Sequence, residues 1–154
     1  MKTKGILLVV LCVTLWSCGT RTHQSDAEIV ESLNSYIVKV NDNSTLEQSV
    51  VEGVLTDIQG AEDIGTYTYY DYSDTESKAL YRIKNIEKTG NTREENYYFK
   101  DNKLVAITVK SSVTENKKIY LNNGKIISSL NIDSKEQDLL LTKAKRFQNE
   151  YKSK

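Results

Sequence analysis

The chain has 154 residues, with 21 basic and 21 acidic side chains, one histidine, two cysteines and no proline. That length fits one domain around one core, and a balanced charge lacks the basic surplus that nucleic acid or an anionic membrane surface attracts. Without proline, the turns fall to Asn, Asp, Gly and Ser.

Lys2 and Lys4 precede an apolar run from Gly5 to Trp16, too short to span a bilayer as a helix. A positive start followed by such a run is the pattern of a signal peptide, here residues 1–17. Its end, Leu15-Trp16-Ser17-Cys18, resembles the lipobox of bacterial lipoproteins, which expects a branched apolar residue, a small residue before the cut and an invariant cysteine. Trp16 departs from that pattern, since the position is usually small.

The resemblance implies that Cys18 becomes the mature N-terminus and carries a thioether-linked diacylglycerol, commonly with an acylated amine. At about 0.8 kcal/mol per buried CH2, two or more chains anchor stably where one would not. Gly19 stands where an inner-membrane retention signal would have aspartate, and Thr20-Arg21-Thr22 lack the acidic run of surface export. The family therefore implies the outer membrane, facing the periplasm. The alternative is a plain secretory signal with a leftover thiol.

Cleavage would also remove Met1, Cys12 and Trp16, leaving about 137 residues with 19 basic and 21 acidic side chains. No disulfide would then stabilise the mature chain, so a packed core must.

Residues 18–24 form a polar tether, and residues 25–154 a single domain. Ser25-Asp26-Ala27-Glu28 has the form of a capping box, and Ile29, Val30, Leu33, Tyr36, Ile37 and Val40 follow at helical spacing, predicting a helix from about Asp26 to Val40. Thr45 to Ile58 fits helical spacing too, but its β-branched residues around a glycine favour a strand. Six further strands are predicted: Gly65 to Tyr72, Lys78 to Lys88, Thr92 to Lys100, Lys103 to Ser111, Asn116 to Leu121 and Lys125 to Leu130.

Two of the hairpins repeat each other. Tyr98-Phe99-Lys100-Asp101-Asn102-Lys103-Leu104-Val105 aligns with Tyr120-Leu121-Asn122-Asn123-Gly124-Lys125-Ile126-Ile127. Asn123-Gly124 and Asp101-Asn102 suit type I′ turns, because their central positions tolerate positive φ. That register pairs Phe99 with Leu104 and Leu121 with Ile126 on one face, and Tyr98 with Val105 and Tyr120 with Ile127 on the other.

Ser134-Lys135-Glu136-Gln137 reads as a second capping box, before Leu140, Ala144, Phe147 and Tyr151 at helical spacing. The expected fold is α+β, an antiparallel meander of about six or seven strands with an N-terminal and a C-terminal amphipathic helix, both on one face. These hairpins also resemble those of small uncharacterised bacterial lipoproteins with a meander between helices, a likeness that implies no activity.

Candidates for catalysis are scarce. His23 lies in the tether, where a general base would have no fixed position. Without a thiol or a second histidine, nucleophilic triads and zinc sites lack their parts. Glu94 and Glu95 are adjacent on a strand, so they face opposite ways and do not form a glycosidase pair; a solvated strand end is expected. Asp71, Ser73, Asp74 and Glu76 cluster in a hairpin loop and could offer oxygens to calcium, but the sixth-position glycine is missing and Arg82 stands at the twelfth, so an acidic turn is expected.

The tyrosines Tyr67, Tyr69, Tyr70 and Tyr72 crowd one strand, with Tyr70 and Tyr72 sharing a face. Exposed beside Asp71 and Asp74, they would form a binding surface for an envelope protein or glycan; the alternative is ordinary strand aromatics packed under a helix. The expectation is a lipid-anchored, non-catalytic binding or adaptor module without cofactor or metal, reaching the membrane through its anchor. The alternative is an inhibitor or immunity-type protein that offers the acidic loop Asp71 to Glu76 to an envelope enzyme.

Overall fold

The computed structural model describes residues 24–154; the expected signal peptide, the expected lipidation site Cys18 and His23 lie outside them. Helix α1 (Asp26–Asn41) is followed by strands β1 (Glu47–Thr56), β2 (Asp63–Ser73), β3 (Leu80–Thr89), β4 (Asn91–Lys100), β5 (Lys103–Ser111), β6 (Lys117–Asn122) and β7 (Lys125–Leu130), then by helix α2 (Ser134–Lys152). The strands pair antiparallel in chain order, so the sheet is the expected α+β meander and β1 and β7 are its edges. Among the described residues, no helix is long and apolar enough to cross a membrane.

Ser25 and Glu28 close the capping box of α1, with the Glu28 amide donating to Ser25 Oγ at 3.3 Å and the Ser25 amide donating to the Glu28 carboxylate at 2.8 Å. The box expected at Ser134 is replaced by a cap one residue earlier. Asp133 Oδ1 accepts from the Glu136 amide at 2.8 Å, which leaves the Glu136 carboxylate free for Arg93 and Lys117. The ambiguous stretch after Thr45 is strand β1. Its glycine fits that state, because a Cβ on Gly53 would stand 2.5 Å from the Tyr67 ring that lies across it.

Both repeated hairpins turn as expected, with positive φ at Asp101, Asn102, Asn123 and Gly124, and with Phe99 opposite Leu104 and Leu121 opposite Ile126. One residue further the register differs from the expectation. Tyr98 lies opposite Ala106 and Tyr120 opposite Ser128, so Val105 and Ile127 are extra residues of two equivalent bulges. Each bulge turns its extra apolar residue toward α1, and the 22-residue repeat in sequence is a repeat in backbone geometry too.

The helices cover opposite faces of the sheet, not one face as expected. On one side Leu140, Ala144 and Phe147 of α2 pack on Ile83, Tyr97 and Phe99. On the other, Leu33 and Val40 of α1 pack on Tyr98, Ala106 and Tyr120. Five consecutive residues of β4, Glu95 to Phe99, are buried, which a strand achieves only when both its faces are covered. Hydroxyl groups tie the sheet to α1: Tyr98 donates to Asn41 Oδ1 at 3.1 Å, Tyr120 donates to Asn34 Oδ1 at 2.6 Å, and Tyr36 of α1 donates to the Phe99 carbonyl. Burial, with Tyr81 and Asp101 nearby, pushes the Tyr36 hydroxyl up to about 12, so it stays a donor at any physiological pH.

Candidate functional site: an open face of tyrosine and lysine

On the α1 side, cross-strand neighbours form rows. One row runs Tyr72, Arg82, Tyr98, Ala106, Tyr120, and its later members lie under α1. The next runs Tyr70, Lys84, Asn96, Thr108, Lys118, with Glu94 opposite Lys110 beyond it. Past Asn41, the last residue of α1, these rows line a groove of about 340 Å³ with Arg82, Lys84, Asn96, Lys110 and Lys118 in its wall.

Tyr70 and Tyr72 do not line the groove; they stand beside it, next to two of the cations in its wall. Tyr70 and Tyr72 stack with centroids 6.4 Å apart; the Arg82 guanidinium sits 3.8 Å above Tyr72, and Lys84 Nζ lies 5.7 Å from the Tyr70 centroid. Arg82 Nη1 also donates to Asn41 Oδ1 at 2.5 Å, so α1 holds the guanidinium in place.

The groove has a surplus of positive charge. Lys84 pairs with Glu94 at 3.2 Å, and Asn96 donates to the same carboxylate at 2.9 Å. Burial raises the Glu94 pKa, but Asn96, Lys84 and Lys110 outweigh it and hold the carboxyl below its ordinary range. Among the described residues, Lys110 and Lys118 have no carboxylate within 4 Å. Stacked rings, amide and hydroxyl side chains and unpaired ammonium groups are the parts that an anionic, hydroxyl-rich ligand would engage.

The expected surface of Tyr70, Tyr72, Asp71 and Asp74 is divided by the structure. Tyr70 and Tyr72 are half-buried on the open face, as their spacing required. Asp71 is buried on the α2 side, accepting from Ser49 Oγ at 2.6 Å and pairing with Lys154. Asp74 folds back on its own turn, where its Oδ1 accepts from the Ser77 amide and hydroxyl at 2.7 Å each and from the Glu76 amide at 3.2 Å. Those bonds hold its carboxyl below the ordinary range. The acidic loop thus uses two of its carboxylates internally, and Asp71, Asp74 and Glu76 do not converge. Among the described residues, no group of three Asp, Glu, His or Cys side chains is placed to hold a metal ion.

Glu94 and Glu95 face opposite ways, as expected, but Glu95 is 0% exposed and is no solvated strand end. Its carboxylate accepts from Tyr97 Oη at 2.7 Å, Arg93 Nε at 2.8 Å and Lys143 Nζ at 3.1 Å. Lys143 also reaches Glu87 at 2.8 Å, while Arg93 and Lys117 share Glu136 at 3.0 and 2.6 Å. Burial raises the Glu95 pKa, and Lys143, Arg93 and Tyr97 together outweigh it, so the group is held ionised. Burial and the adjoining carboxylate push the Tyr97 hydroxyl well above its usual range. The network docks α2 on the sheet, through Lys143 on Glu95 and Glu87 and through Glu136 on Arg93 and Lys117. Sequence reading missed this network because its members come from β3, β4, β6 and α2.

Compared with models of known protein families, with curated proteins and with solved structures, the chain matches none.

Proposed function

We propose that the chain is a lipid-anchored envelope protein, tethered through Cys18 to the periplasmic side of the outer membrane, and acts as a non-catalytic binding module. The reading is carried by the row Tyr70, Lys84, Asn96, Thr108, Lys118, an aromatic and cationic sheet face that α1 leaves open. The mature chain is slightly acidic as a whole, so a local surplus of lysine marks this face for an anionic ligand. Stacked tyrosines and amide side chains favour sugar rings, which makes an acidic envelope glycan the ligand class that fits.

Two measurements test the two halves of this reading. Cys18→Ser is expected to leave the membrane fraction for the soluble periplasm on cell fractionation; a variant that stays in the membrane fraction refutes the anchor. The same soluble variant, run in native gels, is expected to be retarded by an acidic polysaccharide and not by a neutral one. Tyr70→Ala in that background is expected to weaken the retardation by about tenfold, the usual effect of losing a central aromatic anchor. Unchanged retardation in Tyr70→Ala refutes the site.

A further inference from the structure

Strand β1 is an edge ten residues long, and only β2 pairs with it. Val50, Val51 and Val54 on it are 48%, 46% and 52% exposed. Natural edges are blunted by charged side chains, proline, bulges or short length. Strand β1 has no lysine or proline and is long, and its protection is confined to Glu47, Glu52 and a register shift at Leu55/Thr56.

Its two sides differ in chemistry. On the α2 side, Val51 and Leu55 join Tyr67, Tyr69 and Phe147 around a groove of about 370 Å³, and Gly53 lets the Tyr67 ring lie flat on the strand to form its floor. On the α1 side, Glu52 stands between Val50 and Val54 and has no cation within 4 Å among the described residues. The segment that carries this edge is acidic, since residues 40–77 contain nine acidic side chains and no lysine or arginine. The cations that reach it, Lys78 at Glu47 and Arg146 and Lys154 at the groove, lie near its first residues or on the α2 side, away from Glu52.

We propose that the free edge of β1 takes up an extended basic polypeptide segment as an eighth strand, with apolar side chains facing the Val51/Leu55 groove and lysine or arginine facing Glu52. The unpaired amides and carbonyls of the edge supply the backbone ladder, and the added strand lies about 4.8 Å away, close enough for its side chains to meet those of β1. Because strand side chains alternate, a segment of alternating apolar and basic residues satisfies both sides at once. The stem of a lysine lies along Val50 and Val54 while its ammonium group reaches Glu52. This edge is acidic where the Tyr70 to Lys118 row is basic, so the two surfaces select different ligands.

The test uses the Cys18→Ser protein and three acetylated eight-residue peptides: one alternating lysine with valine, one alternating glutamate with valine, and the lysine peptide with N-methylated backbone. The lysine peptide is expected to bind, to slow hydrogen exchange at β1 amides, and to weaken as salt is raised. The other two are expected to bind at least about tenfold more weakly, through like charge or loss of the backbone ladder. Glu52→Lys, at an exposed position, is expected to transfer the preference to the glutamate peptide, and Val54→Lys to weaken the lysine peptide without a change in thermal unfolding. Equal binding of the N-methylated peptide overturns the proposal. So does protection that falls on β7 instead of β1, or concentration-dependent dimerisation that protects β1 without peptide.

Discussion

Replacing Glu95 with alanine is expected to destabilise the domain by about 3–5 kcal/mol, the range for breaking a buried ion pair from one side. The carboxylate is fully buried and accepts hydrogen bonds from Tyr97, Arg93 and Lys143. Its removal leaves two cations and a hydroxyl facing each other between β4 and α2. Since domains of this size are stable by only about 5–15 kcal/mol, that loss is a large share of the total. Urea unfolding at neutral pH measures it, and a loss below about 1 kcal/mol would show that the cations find other partners.

The same group gives the domain an acid sensitivity of definite sign. The Glu95 pKa in the folded chain lies below its ordinary value of 4.5. Its stabilising contribution is therefore complete above that ordinary value and is lost as the pH falls through the depressed one. Glu94 and Glu136 are depressed too and act in the same direction. Stability measured from pH 7 down to pH 3 is expected to fall less steeply in Glu95→Gln than in the wild type. Parallel profiles would assign the acid sensitivity to the other carboxylates.

Phe147→Ala is expected to cost a further order of about 3–5 kcal/mol by opening a cavity where α2 meets the sheet. The Phe147 ring packs 5.3 Å from Tyr69 and 5.4 Å from Tyr97, the second contact edge-on, so it joins β2 and β4 to the helix. The loss should appear as a lower urea midpoint with a changed tyrosine near-ultraviolet signal. Leu139→Ala, on the exposed side of the same helix, is expected to stay within about 0.5 kcal/mol of the wild type. If the two variants were equally stable, the placement of α2 on this face would be wrong.

Where the fold was legible in the chain, the signals were local. The Ser25/Glu28 cap, the Asn123-Gly124 turn and the alternation of the strands involve residues within a few positions of each other, and their spacing alone specifies backbone conformation. The cap at Asp133 and the bulges at Val105 and Ile127 were misread by one residue. In each case a tertiary partner decided: Glu136 is drawn to Arg93 and Lys117, and the bulges turn an extra apolar side chain under α1. Asp71 was legible and misassigned, since strand parity already set it opposite Tyr70 and Tyr72.

Composition, capping and hairpin spacing by themselves determined an α+β meander between two helices, with Tyr70 and Tyr72 on one face. Only the tertiary structure decided that the helices take opposite faces, that Glu95 is the buried anchor of α2, and that the tyrosines stand beside lysines and not aspartates. The physical reason is range. Periodicity and turn chemistry act between neighbours in the chain, whereas the rows from Tyr70 to Lys118 and the contacts of Glu95 with Lys143 join residues nearly fifty positions apart, which only the packed sheet brings together.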